Sequence, residues 1–226
     1  LVVGLDPVLD RLPTAVRAEA ATLSDDPREQ AGHAFRIYQR QVLEVVAPHA
    51  AAVKPQIAFY EQWGPPGLAA FEDACATARA LGLLVIADVK RGDIGSTATA
   101  YAAAHLGPAD AVTVNPYLGT DSITPFLQRA AETDGGLFVL VRTSNPSAAE
   151  LQELSVEGAP LFERVARLVD GWGADMVGEC GYSSVGAVVG ATAPEALTRL
   201  RELMPRPRPL LPPPAITSLP PPPPPT

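Results

Sequence analysis

Six short runs of aliphatic and β-branched residues punctuate the chain: Leu1–Asp6, Ala51–Lys54, Leu83–Lys90, Ala111–Asn115, Leu137–Thr143 and Gly186–Thr192. Each closes on a polar cluster. Their apolar character is nearly continuous rather than alternating, which suits strands buried on both faces of a parallel sheet. The intervening stretches carry helical periodicity and recognisable starts. Asp26-Pro27 offers an N-cap and a proline at the first helical position ahead of the run Ala34–Val46, and Thr192-Ala193-Pro194-Glu195 opens the segment to Met204 in the same way.

Strand and helix therefore alternate six times with crossovers long enough for parallel pairing, which predicts a barrel or an open doubly wound sheet. The polar residues decide between them. Asp6, Lys54, Asp88, Lys90, Asn115, Thr143 and Ser144 all fall at the C-terminal ends of predicted strands, the face that carries active sites in (β/α) barrels. No GxGxxG or GxxxxGK[ST] loop follows the first strand, which weakens a dinucleotide or P-loop reading. The expectation is an α/β protein with a parallel TIM-type barrel.

Composition narrows the class. The 226 residues, 47% hydrophobic and 19% charged, suffice for one domain with a sizeable core. A net charge of −8 and a pI near 4.9 argue against nucleic acid or an anionic membrane as the main partner. Cys75 and Cys180 form no disulfide framework and no metal-ligand spacing, so a reducing, cytoplasmic setting is expected. No apolar run approaches the roughly 20 residues that span a bilayer. Both cysteines read as buried small apolar residues. Trp63 and Trp172 read as packing residues, and His33, His49 and His105 as surface or helix-end residues without zinc spacing. Arg91 reads as a surface or interface charge.

Both ends look unusual. The chain opens on Leu1-Val2-Val3, already inside a predicted strand, so a natural N-terminal segment is expected to be missing. Twelve of the 25 prolines lie between Pro205 and Thr226. Because proline has no N–H for a ladder, residues 206–226 are expected to be an extended or disordered tail behind a barrel domain of residues 1–205.

The most informative stretch is Ile86-Ala87-Asp88-Val89-Lys90-Arg91-Gly92-Asp93-Ile94. Strand side chains alternate, so Asp88 and Lys90 share one face and point together into the barrel mouth. Gly92 breaks the strand, and Asp93 is the expected N-cap of a helix over Ile94–Ala103. Lys54 approaches from the end of the neighbouring strand. A structural ion-pair network is the plain alternative. Desolvating several charges costs several kcal/mol per ion, however, which favours a chemical role.

The DxKxxDI pattern of Asp88, Lys90, Asp93 and Ile94 resembles the signature of orotidine 5′-monophosphate decarboxylases. Further segments resemble the bacterial type 2 branch in the same order: Gly4-Leu5-Asp6-Pro7, Lys54-Pro55-Gln56-Ile57-Ala58-Phe59-Tyr60-Glu61, Val114-Asn115-Pro116-Tyr117-Leu118-Gly119, Arg142-Thr143-Ser144-Asn145-Pro146 and Val189-Gly190-Ala191-Thr192. That resemblance covers residues 1 to 205 and implies conversion of orotidine 5′-monophosphate to uridine 5′-monophosphate and CO2 in pyrimidine biosynthesis. It implies a homodimer that uses no metal or cofactor. Lys54, Asp88, Lys90 and Asp93 would form an alternating array, with Asp93 given across the dimer interface. Lys90 would protonate C6, Asp88 would face the substrate carboxylate, and Lys54 would hold Asp88 and contact the ribose. Asp6 and the partner's Thr97 would meet ribose hydroxyls, Ser144 would bond the pyrimidine, and Ile94 would line the base pocket.

The chain departs from that family after Met204. Pro209-Leu210-Leu211 starts like a seventh strand, but the glycine-rich phosphate-gripping segment and the arginine after the eighth strand are not found. The barrel is therefore expected to be incomplete, with its first and sixth strands as unpaired edges. Two other readings stay open: a catalytically impaired fragment of such an enzyme, and a magnesium-dependent sugar-phosphate lyase or synthase. The second draws on hexulose-phosphate synthases and ketogulonate-phosphate decarboxylases, which share a DxKxxD pattern.

Overall fold

A computed structural model describes residues 1–190, 194–205 and 209–211. The chain runs β1 (Val2–Leu5), α1 (Thr14–Ala21), α2 (Pro27–Val46), β2 (Ala52–Pro55), α3 (Ala58–Glu61), α4 (Gly64–Ala80), β3 (Leu84–Arg91), α5 (Gly95–His105), β4 (Ala111–Val114), α6 (Thr120–Thr133) and β5 (Gly136–Arg142). It continues through α7 (Ala149–Gln152), a hairpin of β6 (Ser155–Val156) and β7 (Ala159–Pro160), α8 (Leu161–Trp172), β8 (Val185–Val189), α9 (Pro194–Leu203) and β9 (Leu210–Leu211). A strand overlaps each of the six predicted runs, as far as they are described.

The main sheet has seven strands in the order β1-β2-β3-β4-β5-β8-β9, every neighbouring pair parallel. It forms the curled, incomplete TIM-type barrel anticipated from the alternation of strands and helices. The sixth barrel strand is not the bare edge expected from the sequence. β8 pairs with the short β9 through Ala187↔Leu210 and Val188↔Leu211, because this dipeptide precedes the proline run and keeps its N–H groups. The predicted cap Thr192 and the proline tail from Pro212 lie outside the described residues.

Period-two alternation sorts the strand residues into two layers. Val53, Val85, Ala87, Val112, Val139 and Val185 belong to the main core with the helices, whereas Ala52, Ile86, Ala111, Val188 and Leu211 form a second apolar cluster with Phe138 and Leu140. Lys54, Asp88 and Thr113 have the parity of Ala52, Ile86 and Ala111. They continue that second layer at its polar end.

Helix α2 begins as the sequence indicates: Asp26 caps it by accepting the Arg28 N–H at 2.8 Å, with Pro27 at the first position. Its apolar face places Phe35 edge-on to Tyr60 and Trp63, with ring centroids 5.7 and 6.5 Å apart. Helix α5 starts differently from expectation. Ile94, not Asp93, is its N-cap residue, and the helix opens at Gly95, whose φ of +55° suits a residue without Cβ. Cys75 is buried, as anticipated, but Cys180 is exposed on the loop before β8. His105 does end a helix, yet it is buried rather than superficial.

Candidate active site

Asp88 is the centre of the polar cluster. Its carboxylate accepts from Lys54 Nζ at 2.5 Å and Gln56 Nε2 at 3.1 Å on Oδ2, and from Lys90 Nζ at 2.5 Å and the Thr113 hydroxyl at 2.9 Å on Oδ1. Four donors thus fill the four lone-pair positions of an ionised carboxylate. Burial alone would raise the Asp88 pKa. The charge and hydrogen bond of Lys54, with those of Lys90, outweigh it and hold the carboxyl below the usual aspartate range.

The two ammonium groups differ in setting. The Lys54 side chain is 4% exposed, fixed on β2 between β1 and β3, while that of Lys90 is 43% exposed. Burying Lys54 is tolerable because a carboxylate meets it directly. These are the only two lysines in the sequence; the other fifteen basic residues are arginines. Arginine stays charged under all ordinary conditions, so lysine stands only at the two positions where an amine meets this carboxylate.

The backbone beneath Lys90 is irregular, which alternation alone does not foretell. Lys90 has φ of +46°, and the β3–β4 register shifts between Ala87 and Arg91. A left-handed non-glycine residue costs about 1 kcal/mol or more, so something nearby must hold it. Thr113 on β4 does so, accepting the N–H groups of Val89 at 3.0 Å and Lys90 at 2.9 Å. Lys90 and Asp88 still converge, but across a bulge.

The remaining predicted residues surround this cluster to different degrees. Asp6 follows β1; protein around its carboxyl raises its pKa, with Lys54 opposing and Asp88 reinforcing the shift. Asp93 accepts the Ile94 N–H at 2.8 Å and makes no ion pair among the described residues, so the chain does not bring it to Lys54 or Lys90. Ile94 is 53% exposed and Thr97, on the first turn of α5, is exposed. Ser144 is exposed just beyond β5, its backbone so close to Gly190 that a Cβ there would lie 2.9 Å from the Ser144 N. Only glycine permits that approach.

Thr113 and Gln56 receive no role from the sequence. The signal for Thr113 is faint: a hydroxyl inside the otherwise apolar run Ala111–Val114, where threonine also suits a strand. Arg91 pairs with Glu61 and lies 5.3 Å from the Tyr101 ring centroid, a tie between α3, β3 and α5. Among the described residues, no group of three or more His, Cys, Asp or Glu side chains is arranged to hold a metal ion, and no helix is long and apolar enough to cross a membrane.

Comparison with known proteins gives a consistent picture. Residues 38–212 match the model of the orotidine 5′-phosphate decarboxylase / HUMPS family. The chain is 44% identical over 212 residues to orotidine 5′-phosphate decarboxylase of Rhodopirellula baltica, covering 90% of this chain and 69% of that protein. It is 47% identical over 215 residues to the Deinococcus radiodurans enzyme of the same name, covering 94% and 71%. Among solved structures it is similar to a putative orotidine 5′-phosphate decarboxylase from Streptomyces avermitilis, with TM-score 0.75 and 40% identity over 94% of this chain and 71% of that one. The OMP decarboxylase of Leishmania donovani gives 0.74 and 36%, over 92% and 73%.

Proposed function

From the premise that the chain belongs to the orotidine 5′-phosphate decarboxylase / HUMPS family, we propose that it converts orotidine 5′-monophosphate to uridine 5′-monophosphate and CO2, with Lys90 as proton donor. The observation that carries this reading is the carboxylate of Asp88 held between two ammonium groups, each at 2.5 Å.

The chemistry follows from charge. When the bond from C6 to the carboxylate breaks, the electron pair stays on C6 and CO2 departs. Lys90 then gives a proton to C6, and its partly exposed amine regains one from solvent. A fixed ammonium stabilises the developing carbanion without reorganising. At about 4 Å and an effective dielectric of 20, two unit charges interact by roughly 4 kcal/mol, or about three decades of rate if expressed only in the transition state. Asp88 faces the departing carboxylate in this reading, and Lys54 holds Asp88 and reaches the ribose.

Asp6, Ile94, Thr97 and Ser144 are the proposed substrate contacts, Asp6 and Thr97 for ribose, Ser144 for the pyrimidine and Ile94 for the base pocket. The exposure of Ile94 and Thr97 and the unpaired state of Asp93 among the described residues favour a homodimer in which each copy lends Asp93 and Thr97 to the other. A cytoplasmic setting accords with two free cysteines.

Absorbance loss of orotidine 5′-monophosphate with the purified chain tests the proposal. Lys90→Ala should reduce turnover at least about a thousandfold while leaving the circular dichroism unchanged. Lys90→Arg should fail to rescue, since guanidinium keeps its proton. An active arginine variant would refute the assignment.

A further inference from the structure

We propose that Thr113 is a positioning residue for proton delivery: its hydroxyl fixes the kinked backbone that presents Lys90 and gives its one hydrogen to Asp88, favouring the ionised carboxylate that holds the Lys90 amine. The inference rests on the reading of Lys90 as proton donor. Its basis is a count of hydrogens and lone pairs around one oxygen.

A hydroxyl has one hydrogen to give and two lone pairs to receive with. At Thr113 both receiving positions are taken by backbone groups, the N–H of Val89 at 3.0 Å and that of Lys90 at 2.9 Å. The single hydrogen is therefore committed to the remaining hydrogen-bond partner among the described residues, Asp88 Oδ1 at 2.9 Å. That direction is enforced by the backbone. The donated hydrogen fills one of the two lone-pair positions of Oδ1, which favours the ionised carboxylate and leaves the second position facing Lys90. Lys90 Nζ, 2.5 Å from the same Oδ1, donates to that second position of the ionised carboxylate.

The same oxygen governs where the amine stands. The β3–β4 ladder is interrupted between Ala87 and Arg91, so the Val89 and Lys90 N–H groups turn to the hydroxyl. Lys90 keeps its left-handed φ of +46° at the point where these bonds converge. Thr113 is fully buried at 1% exposure, and no substrate contact is assigned to it. It acts through Asp88 and Lys90.

The isosteric Thr113→Val removes the hydroxyl, and Thr113→Ser keeps it. Steady-state kinetics over pH with orotidine 5′-monophosphate are to be combined with a 13C carboxyl titration of Asp88, assigned by comparison with Asp88→Asn. Thr113→Val is expected to lower kcat about tenfold to hundredfold with KM changed less than about threefold. Because a hydrogen bond to the ionised form is lost, the Asp88 midpoint and the acid limb of kcat should both move up by about one pH unit. Thr113→Ser should restore kcat to within about threefold and return the midpoint.

Unchanged kcat in Thr113→Val, or a loss of kcat without movement of the Asp88 titration, overturns the proposal. A wild-type chain without turnover would defeat the decarboxylase reading instead, and the carboxyl titration would still decide the role of Thr113. Should Thr113→Val not fold, hydrogen exchange in the wild-type protein decides the matter. Slow exchange of both the Val89 and Lys90 amides supports the clamp, and fast exchange of both overturns it.

Discussion

Two carboxylates in this molecule each gather two cations, and they do so to opposite ends. Asp88, at the mouth of the barrel, is met by Lys54 and Lys90; Glu163, on α8, is met by Arg199 from α9 and Arg167 one turn further along α8. Both side chains are nearly inaccessible, at 7% and 8%. Hydrogen bonding to Arg199 and the charges of both arginines hold the Glu163 carboxyl below its usual range, as the lysines do for Asp88. The partners differ. Arg199 grips Glu163 with two nitrogens at 2.9 and 3.1 Å, the fork geometry that fastens helices together, and both arginines remain about half exposed. Lys54 is buried and Lys90 half-open. A cation that never gives up its proton ties helices; the one that can is reserved for the strand ends.

Neutralising each carboxylate in turn gives the sharpest test of that contrast. Asp88→Asn leaves the buried Lys54 without a countercharge and should cost about 3–5 kcal/mol, read from the denaturant midpoint, out of a total that is typically about 5–15 kcal/mol. The wild-type protein should show the same dependence on acid. The folded-state pKa of Asp88 lies below its unfolded value, so its contribution is complete above the ordinary aspartate range and disappears as pH falls through the depressed value. If Asp88→Asn leaves the midpoint unmoved, the cluster is not a charge-dependent centre.

His105 supplies a case of burial without an ion pair to a carboxylate among the described residues, though Glu61 acts on it weakly from a distance. Burial and the nearby positive charge of Arg91 push its pKa down to about 4 from 6.5. The unfolded chain therefore binds the proton more readily, and stability should rise as pH climbs from about 4 to 6.5. From this residue, the protein should be roughly 2 kcal/mol less stable at pH 5 than at pH 7. His105→Gln should flatten that slope in paired urea titrations. A variant with the wild-type slope would assign the acid sensitivity elsewhere.

The smallest effect belongs to Glu163→Gln. Its cations are half solvated, so the change should cost about 1 kcal/mol or less and lower the thermal midpoint by roughly 2–4 °C, with turnover untouched. A loss at Glu163 equal to that at Asp88 would erase the distinction between the two clusters.

Much of this was legible in the order of residues. The strands announced themselves because burial on both faces leaves unbroken apolar runs such as Val185–Val189, and Asp26-Pro27 marked the start of α2 because a cap and a preset φ are local properties. Asp88 and Lys90 could be paired from alternation alone. What escaped depended on the third dimension. The left-handed Lys90 is not encoded by a residue that prefers it, and Thr113 resembled ordinary strand filler until the β3–β4 register placed its oxygen beneath the bulge. Asp93 has the chemistry of a cap, but its side chain bonds the adjacent N–H and the helix starts beyond it. Leu210-Leu211 reads as the start of a seventh strand, but its pairing with β8 involves two residues on each strand, too few for the sequence to show that the sixth strand's edge is covered.

The scarcity of lysine has a practical corollary. Apart from the terminal amine, acylating reagents meet one reachable primary amine, at position 90, since the other is sealed in the barrel. A fluorophore or photoprobe aimed at amines would report from the proposed site with no engineered cysteine, and protection from such labelling would measure its occupancy directly.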